Sequence, residues 1–563
     1  MGFYLNSKKP YLMFQEGRSS RYFVDKTRIL EELICAIDAE PGAAADDTEP
    51  AKRTGTPGKD PKYICVTRPR RFGKTMAANM ISAYFGKSHD SSALFQGLSV
   101  SRFPWFAKHL NKHHVIHIMC NELPDVCTSY AQYISRIKKK LLGDLAREFP
   151  DTPMESTDAL WDAFNSLIEF GSNEKFIFIL DEWDYIFHRD FITEHDKKAY
   201  LDFLSSLFKD QPYVELAYLT GILPIAKYSS GSELNMFCEY TMATEEKYAG
   251  YFGFTNAEVD LLYQKYLEQE NACQKVTRDG LRAWYDGYCT KSGERIYNPR
   301  SVVLALTNNQ LGNYWTSSGP YDELFFYIDK NTDAVRDDLA MLVSGTPVPA
   351  KIQEYAASSM RLSTKNEIFS AMVVYGFLNY AQGYVSIPNK ELMNQFAAML
   401  SKEPSLGYVY RLAKASEQML AATKALDTKK MAEILEYAHN TESPLLYYNN
   451  EAELTMIVNM AYLSARDHYR IEREDKAGTG YVDFIFYPLR PTDDCMILEL
   501  KAGQTAEAAI AQIIDRNYAM KFYGMAGQQP QYTGRILAIG IAYEKGTGKK
   551  HCCKIEILRN RQA

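Results

Sequence analysis

Apolar residues along this chain follow two rhythms, and their alternation lays out its architecture. Short runs rich in β-branched and aromatic residues, 63–67, 113–120, 176–180 and 214–222, alternate with segments of helical spacing at 22–38, 76–84, 135–149 and 196–210. In 22–38 the stripe is Ile29, Leu30, Leu33, Ile34 and Ile37. Strands separated by helices predict a parallel sheet covered on both faces. The unbroken apolar run 176–180 marks a strand buried on both sides. Residues 252–315 look helical, and 316–436 is mostly helical by pattern, with a short strand and turn at 383–389. Near the end, 478–489 and 495–503 read as two strands joined through Asp493 and Asp494, and 509–520 as a helix behind them. Residues 39–61, rich in Ala, Gly, Pro and charge, have no apolar face to bury and read as a mobile loop.

Composition narrows the class without naming a function. A chain of 563 residues predicts several cores rather than one. Its formal net charge of -6 supplies no global attraction to nucleic acid or acidic membranes, so any such contact needs a local patch. Ten cysteines are scattered without a C-x-x-C pair, which fits reduced thiols better than a zinc site or disulfide framework. With no signal-like start and no apolar run of about 18 residues, the expectation is a cytoplasmic protein with no membrane partner. The histidines 113, 114 and 117 lack a Cys or carboxylate partner at ligand spacing and read as structural.

Chemistry enters with YICVTRPRRFGKT, 63–75. Strand, turn, Gly-Lys-Thr and helix is the order of a phosphate-cradling loop. The glycine lets backbone N–H groups close on phosphate oxygens, the lysine neutralises the β- and γ-phosphates, and the threonine hydroxyl reaches Mg²⁺. Gly73, Lys74 and Thr75 take those roles, with Phe72 beside them. Arg68 stands where the full pattern has a first glycine. Arg70 and Arg71 either add phosphate contacts or reach another domain. Downstream, Asp181 and Glu182 end the buried strand, where α/β sheets bind ligands. Asp181 suits Mg²⁺ and Glu182 suits polarising the attacking water. Thr220, ending the strand 214–222, is either a γ-phosphate sensor or part of a Thr-Gly turn.

VDKT (24–27), RPRRFGKT (68–75), ILDEWD (179–184), LTGILPIAK (219–227), FGFTNAEV (252–259), WYDGY (284–288), YNPRSV (297–302) and NYW (313–315) together resemble the prokaryotic AAA-ATPase-like family that is often paired with a PD-(D/E)XK nuclease-like domain. In that family the RPRRFGKT loop is usual, so Arg68 is a family feature. Pro224 stands where an arginine is common, and Arg300 where an aromatic is common. The resemblance implies an α/β fold: a P-loop AAA-type ATPase core over 1–235 with its loop at 39–61, a helical lid over 236–315, a helical connector over 316–436, and a restriction-endonuclease-like α/β domain over 437–563. It implies ATP and Mg²⁺ as cofactors and a possible homo-oligomer that completes its site with a neighbour's arginine.

The last domain carries a second constellation. Glu499 and Lys501, two apart in a strand, project from one face, and the hairpin brings Asp483 beside them. A carboxylate at Asp483, in an otherwise apolar strand, is costly unless paired or bound to a cation. Two carboxylates and a lysine on one face equip a strand pair for metal-assisted phosphodiester hydrolysis. Asp483 and Glu499 would hold the metal, and Lys501 would position water and offset charge. The resemblance adds Glu451 from an upstream helix, and Gln512 with Tyr518 as supporting residues. The expected function is an ATPase that regulates an attached Mg²⁺-dependent nuclease acting on nucleic acid. The alternative is a nucleotide-dependent switch whose nuclease-like domain is a non-catalytic binding module.

Overall fold

The computed structural model describes residues 2–38, 60–171, 174–225, 233–242, 245–269, 273–315, 332–352, 364–440, 451–477, 480–523, 531–544 and 550–561. Most of the expected loop at 39–61 lies outside them. The chain divides into two compact units, 1–320 with 349–391, and 321–348 with 392–563.

The first unit is built on a five-stranded sheet. Its strands are β1 (Tyr63–Thr67), β2 (His114–Met119), β3 (Phe176–Asp181), β4 (Val214–Gly221) and β5 (Cys238–Tyr240), in the order β2-β3-β4-β1-β5. Every pairing is parallel. Alternation along the strands feeds two cores. Ile64, Val66, Ile177 and Ile179 pack on one face with the helices Ile29–Ile37 and Lys74–Phe85. Cys65, Phe178 and Leu219 pack on the other with Tyr130–Glu148 and Glu194–Phe208. This two-sided burial is why the strands read as continuous apolar runs.

Residues 252–315 hold the helices Asn256–Leu267, Arg278–Tyr285 and Pro299–Asn308 around their own core, which includes Leu262, Leu281, Tyr285 and Val302. To this the structure adds a small antiparallel sheet of β6 (Phe254–Thr255), β7 (Tyr288–Cys289) and β8 (Arg295–Tyr297). Strands of two or three residues leave no readable alternation. The short strands β9 (Val348–Pro349), β10 (Asn379–Ala381) and β11 (Tyr384–Ser386) follow, with β10 and β11 paired antiparallel.

The second unit contains the helices Thr332–Val343, Tyr408–Lys424, Thr428–Asn440 and Glu451–Ala461 and a mixed sheet. The sheet runs β12 (Tyr469–Ala477), β13 (Gly480–Pro488), β14 (Cys495–Ala502), β15 (Ile536–Glu544) and β16 (Lys550–Arg559) in that order. Only β14 and β15 are parallel, and the helix Ala506–Asp515 lies between them in sequence. Gly540 lets that helix press onto the sheet, because a Cβ there would stand 2.4 Å from the Ala506 carbonyl oxygen. Among the described residues no helix is long and apolar enough to cross a membrane.

Candidate functional site

The carboxyl ends of β1, β3 and β4 come level, since Thr220 pairs with Val66 on one side and with Asp181 on the other. The loop 68–73 leaves β1, and Gly73, at φ +92°, starts the helix Lys74–Phe85 in a conformation that costs glycine nothing. Arg71 also has positive φ, at +69°. Lys74 is buried, and its ammonium donates to the carbonyls of Arg68 (2.8 Å) and Pro69 (2.9 Å). Burial pushes it down to about 8, against the pull of Asp184, Asp181 and Glu182.

Asp181 is 1% exposed, and neither carboxylate oxygen has a hydrogen-bond partner among the described residues. Burial lifts it to about 6; the Thr75 hydroxyl is near enough to oppose that rise although its geometry makes no hydrogen bond, and the charge of Glu182 adds to it. Glu182, at φ +54°, accepts a 2.8 Å hydrogen bond from the Asn121 side chain. Asp184 accepts from the amides of Ile222 (3.0 Å) and Leu223 (2.7 Å), which ties the turn after β3 to the end of β4.

These residues edge a cavity of about 780 Å³, lined by Arg70 to Ala77, Glu182 and Asp184 on the polar side. Phe14, Tyr22, Phe23, Phe254, Val303 and Leu304 form an apolar side. The volume suits a nucleotide, with phosphates at the loop and a base against apolar groups. Arg70, Arg71, Phe72, Gly73, Lys74, Thr75 and Glu182 all line it. Asp181, next in sequence to Glu182, is not a lining residue. Thr220 is fully buried beside Asp181 with its hydroxyl unpartnered among the described residues, and it is not a lining residue. Arg68 is 1% exposed and turns back from the cavity, donating to the carbonyls of Thr67 and Tyr240 (both 2.7 Å) with its guanidinium over the Phe252 ring. Sequence reasoning gave no role to Asn121 or Asp184. It noted Arg300 only as a departure, yet Arg300 lines the cavity from the helix Pro299–Asn308.

In the second unit the β13–β14 hairpin brings Asp483, Glu499 and Lys501 together. Asp483 accepts from the Leu500 amide at 2.7 Å, and Lys501 sits 3.3 Å from Glu499 and 3.8 Å from Glu451. Gln512 reaches over from the helix Ala506–Asp515 to donate to Glu499. Tyr518 stands 3.4 Å from Gln512 and donates to the Tyr481 carbonyl at 2.6 Å. Glu499 is 3% exposed, and its Oε2 has no partner among the described residues. Burial, then the charge of Asp483, raises it to about 7, with Lys501 opposing. An unpartnered buried carboxylate oxygen beside a second carboxylate fits a cation. Asp181 beside Thr75 fits one in the same way. Among the described residues no group of three or more His, Cys, Asp or Glu gathers as a metal cluster.

Residues 58–230 match the family described as predicted AAA-ATPase, and residues 449–550 match the PD-(D/E)XK nuclease superfamily. An "Uncharacterized protein in vnfD 5'region" of Azotobacter chroococcum mcd 1 is 25% identical over 267 residues, 46% of this chain. The match spans about half of that relative, 47% of its length. Among solved structures, the Walker-type ATPase PABY2304 of Pyrococcus abyssi aligns with 59% of this chain and 90% of its own, at 12% identity and a TM-score of 0.31. The ORC2 protein of Aeropyrum pernix, solved as ADPNP–ADP complexes, aligns with 60% of this chain and 88% of its own, at 10% identity and a TM-score of 0.27.

Proposed function

We propose, for a chain that carries an AAA-type ATPase domain and a PD-(D/E)XK nuclease-like domain, that ATP is bound and hydrolysed in the 780 Å³ cavity and that its occupancy controls a metal-dependent nuclease in the second unit. The reading rests on one recurrent feature: in each unit a buried carboxylate, Asp181 or Glu499, has an oxygen without a partner, and a lysine lies close enough to oppose its raised pKa.

In the first unit the amides of the loop and Lys74 hold the phosphates, exchanging the Arg68 and Pro69 carbonyls for phosphate oxygens. Arg70, Arg71 and Arg300 add positive charge at the rim. Glu182 orients the attacking water, and Asn121 holds Glu182 until substrate is seated. Mg²⁺, held by Thr75 and Asp181, would offset phosphate charge there, and a divalent ion held by Asp483 and Glu499 would polarise a phosphodiester in the second unit. Lys501 positions water at that second site, and Gln512 fixes the orientation of Glu499.

A second reading has its own support, because Lys501 is already engaged by Glu499 and Glu451. A site that satisfies itself also suits a module that binds nucleic acid or protein without cutting. The deciding experiment incubates the full chain with single- and double-stranded DNA and RNA, with Mg²⁺ or Mn²⁺, with and without ATP. The nuclease reading expects cleavage that Lys501→Ala removes while nucleotide binding persists, and whose ATP dependence Lys74→Ala removes. No cleavage under any of these conditions, with partner binding that survives Asp483→Ala, would establish the switch instead.

A further inference from the structure

Glu391 is a buried carboxylate, 2% exposed, and three hydrogen bonds converge on it from two segments of the first unit. One oxygen accepts from the backbone amides of Tyr314 and Trp315, and the other from the Ser301 hydroxyl at 2.8 Å. Each of these contacts leads to the nucleotide cavity. The Tyr314 carbonyl accepts from the Arg71 guanidinium at 3.1 Å, and the Trp315 indole donates to the Arg70 carbonyl at 3.1 Å. Ser301 follows Arg300 in the first turn of the helix Pro299–Asn308, and Arg300 lines the cavity. Burial holds the Arg71 pKa down, Arg300 and Arg70 push it the same way, and Glu391 opposes them, so the guanidinium feels the charges of both sides.

Glu391 is also the last residue of the first unit. It lies in the first turn of a helix, Lys390–Leu400, whose later turns belong to the second unit. We infer that Glu391 is a positioning residue that reports the nucleotide's phosphate charge to this helix. When phosphate oxygens take up the charge of Arg70, Arg71 and Arg300, Arg71 is drawn away from the field of Glu391. The carboxylate's hold on residues 314–315 and on Ser301 then changes, and with it the start of the helix. This inference rests on the proposal that the cavity binds ATP, and it supplies the regulation which that proposal left without a part.

The test is hydrogen exchange of residues 390–400 in the full chain, apo and saturated with a non-hydrolysable ATP analogue and Mg²⁺, with affinity measured separately by calorimetry. Wild type should show an exchange change of roughly 5- to 150-fold, the range of typical site-to-site coupling. Glu391→Gln keeps the shape and removes the charge, so it should lose that change, and by reciprocity it should bind the analogue more tightly than wild type, because the phosphates no longer compete with a second anion for Arg71. Trp315→Phe, which removes the bond to the Arg70 carbonyl and leaves Glu391 in place, should weaken the change and serves if Glu391→Gln fails to fold. A nucleotide-dependent change that persists undiminished in both variants, or no change in wild type at saturation, overturns the inference. Calorimetry that finds no nucleotide binding to wild type overturns the ATPase reading itself, and this inference with it.

Discussion

Glu499→Gln offers a quantitative check on the second site, because the wild-type residue carries an energetic penalty that depends on pH. Burial and then the Asp483 charge raise Glu499 from 4.5 to about 7. At about 1.4 kcal/mol per pKa unit, ionising it within the fold costs about 3 kcal/mol relative to the unfolded chain. The folded pKa lies above the unfolded one, so the wild type holds this stability below about pH 4.5 and loses it as the pH rises through about 7. Glutamine does not titrate. The stability of Glu499→Gln relative to wild type should therefore rise by roughly 2–3 kcal/mol between about pH 5 and about pH 8. The amide that replaces Oε2 lacks a partner, which lowers the variant by about 1–3 kcal/mol at every pH and leaves the slope untouched. All five tryptophans lie at or before Trp315, in the first unit. Their fluorescence follows that unit alone, while hydrogen exchange of residues 480–502 follows the second. Added Mg²⁺ should stabilise wild type at the higher pH and close the gap, because the variant lacks the carboxylate proposed to hold the metal. A variant-to-wild-type difference that stays flat with pH, or a gap that Mg²⁺ leaves unchanged, would refute the reasoning.

The other expectations concern separate parts of the molecule. Lys74 is held down to about 8 by burial, and phosphates should raise it again, so nucleotide binding near that pH should take up part of a proton. Calorimetry in buffers of different ionisation enthalpy checks this, and a binding enthalpy independent of buffer counts against it. Glu182→Gln should retain nucleotide affinity while hydrolysis falls about 10²- to 10⁴-fold, as measured by phosphate release; a loss confined to affinity would remove Glu182 from the chemistry. Gly540→Ala forces a methyl group to within 2.4 Å of the Ala506 carbonyl, so it should destabilise the second unit by about 1–3 kcal/mol. The accompanying shift of the helix Ala506–Asp515 should also separate Gln512 from Glu499, weakening metal binding at the second site in a titration followed by calorimetry.

What could be read in the sequence follows from how local the chemistry is. RPRRFGKT and ILDEWD each place their candidate groups within a few residues at the end of an apolar strand, so the sequence pattern already brings them to one edge of the sheet. The pair Glu499 and Lys501 was legible for the same reason, and Asp483 because an acid stood out in an apolar strand. The polar edge strand Tyr469–Ala477 and the strand Lys550–Arg559 gave no such contrast, since partly exposed strands mix charge and apolar residues freely. Asn121 was unreadable, because its value lies in β2 pairing with β3, which sets it beside Glu182 across sixty intervening positions.

Glu391 is the sharpest case of a residue whose meaning comes from tertiary structure. In sequence it is an acid in the first turn of a helix, where any glutamate is favoured by the helix dipole and faces solvent at little cost. Only its 2% exposure and its three hydrogen-bond donors, drawn from residues about 75 and 90 positions away, show that this charge is held inside the fold. A carboxylate kept there without solvent must be balanced by its surroundings, and Arg71, whose pKa burial lowers, is a cation on which the Glu391 charge acts in the opposite direction. The same arginine lines the cavity where phosphate would compete for it. Two anions that draw on one guanidinium cannot be independent, so the charge that makes Glu391 costly to bury also makes it sensitive to whether the nucleotide site is filled.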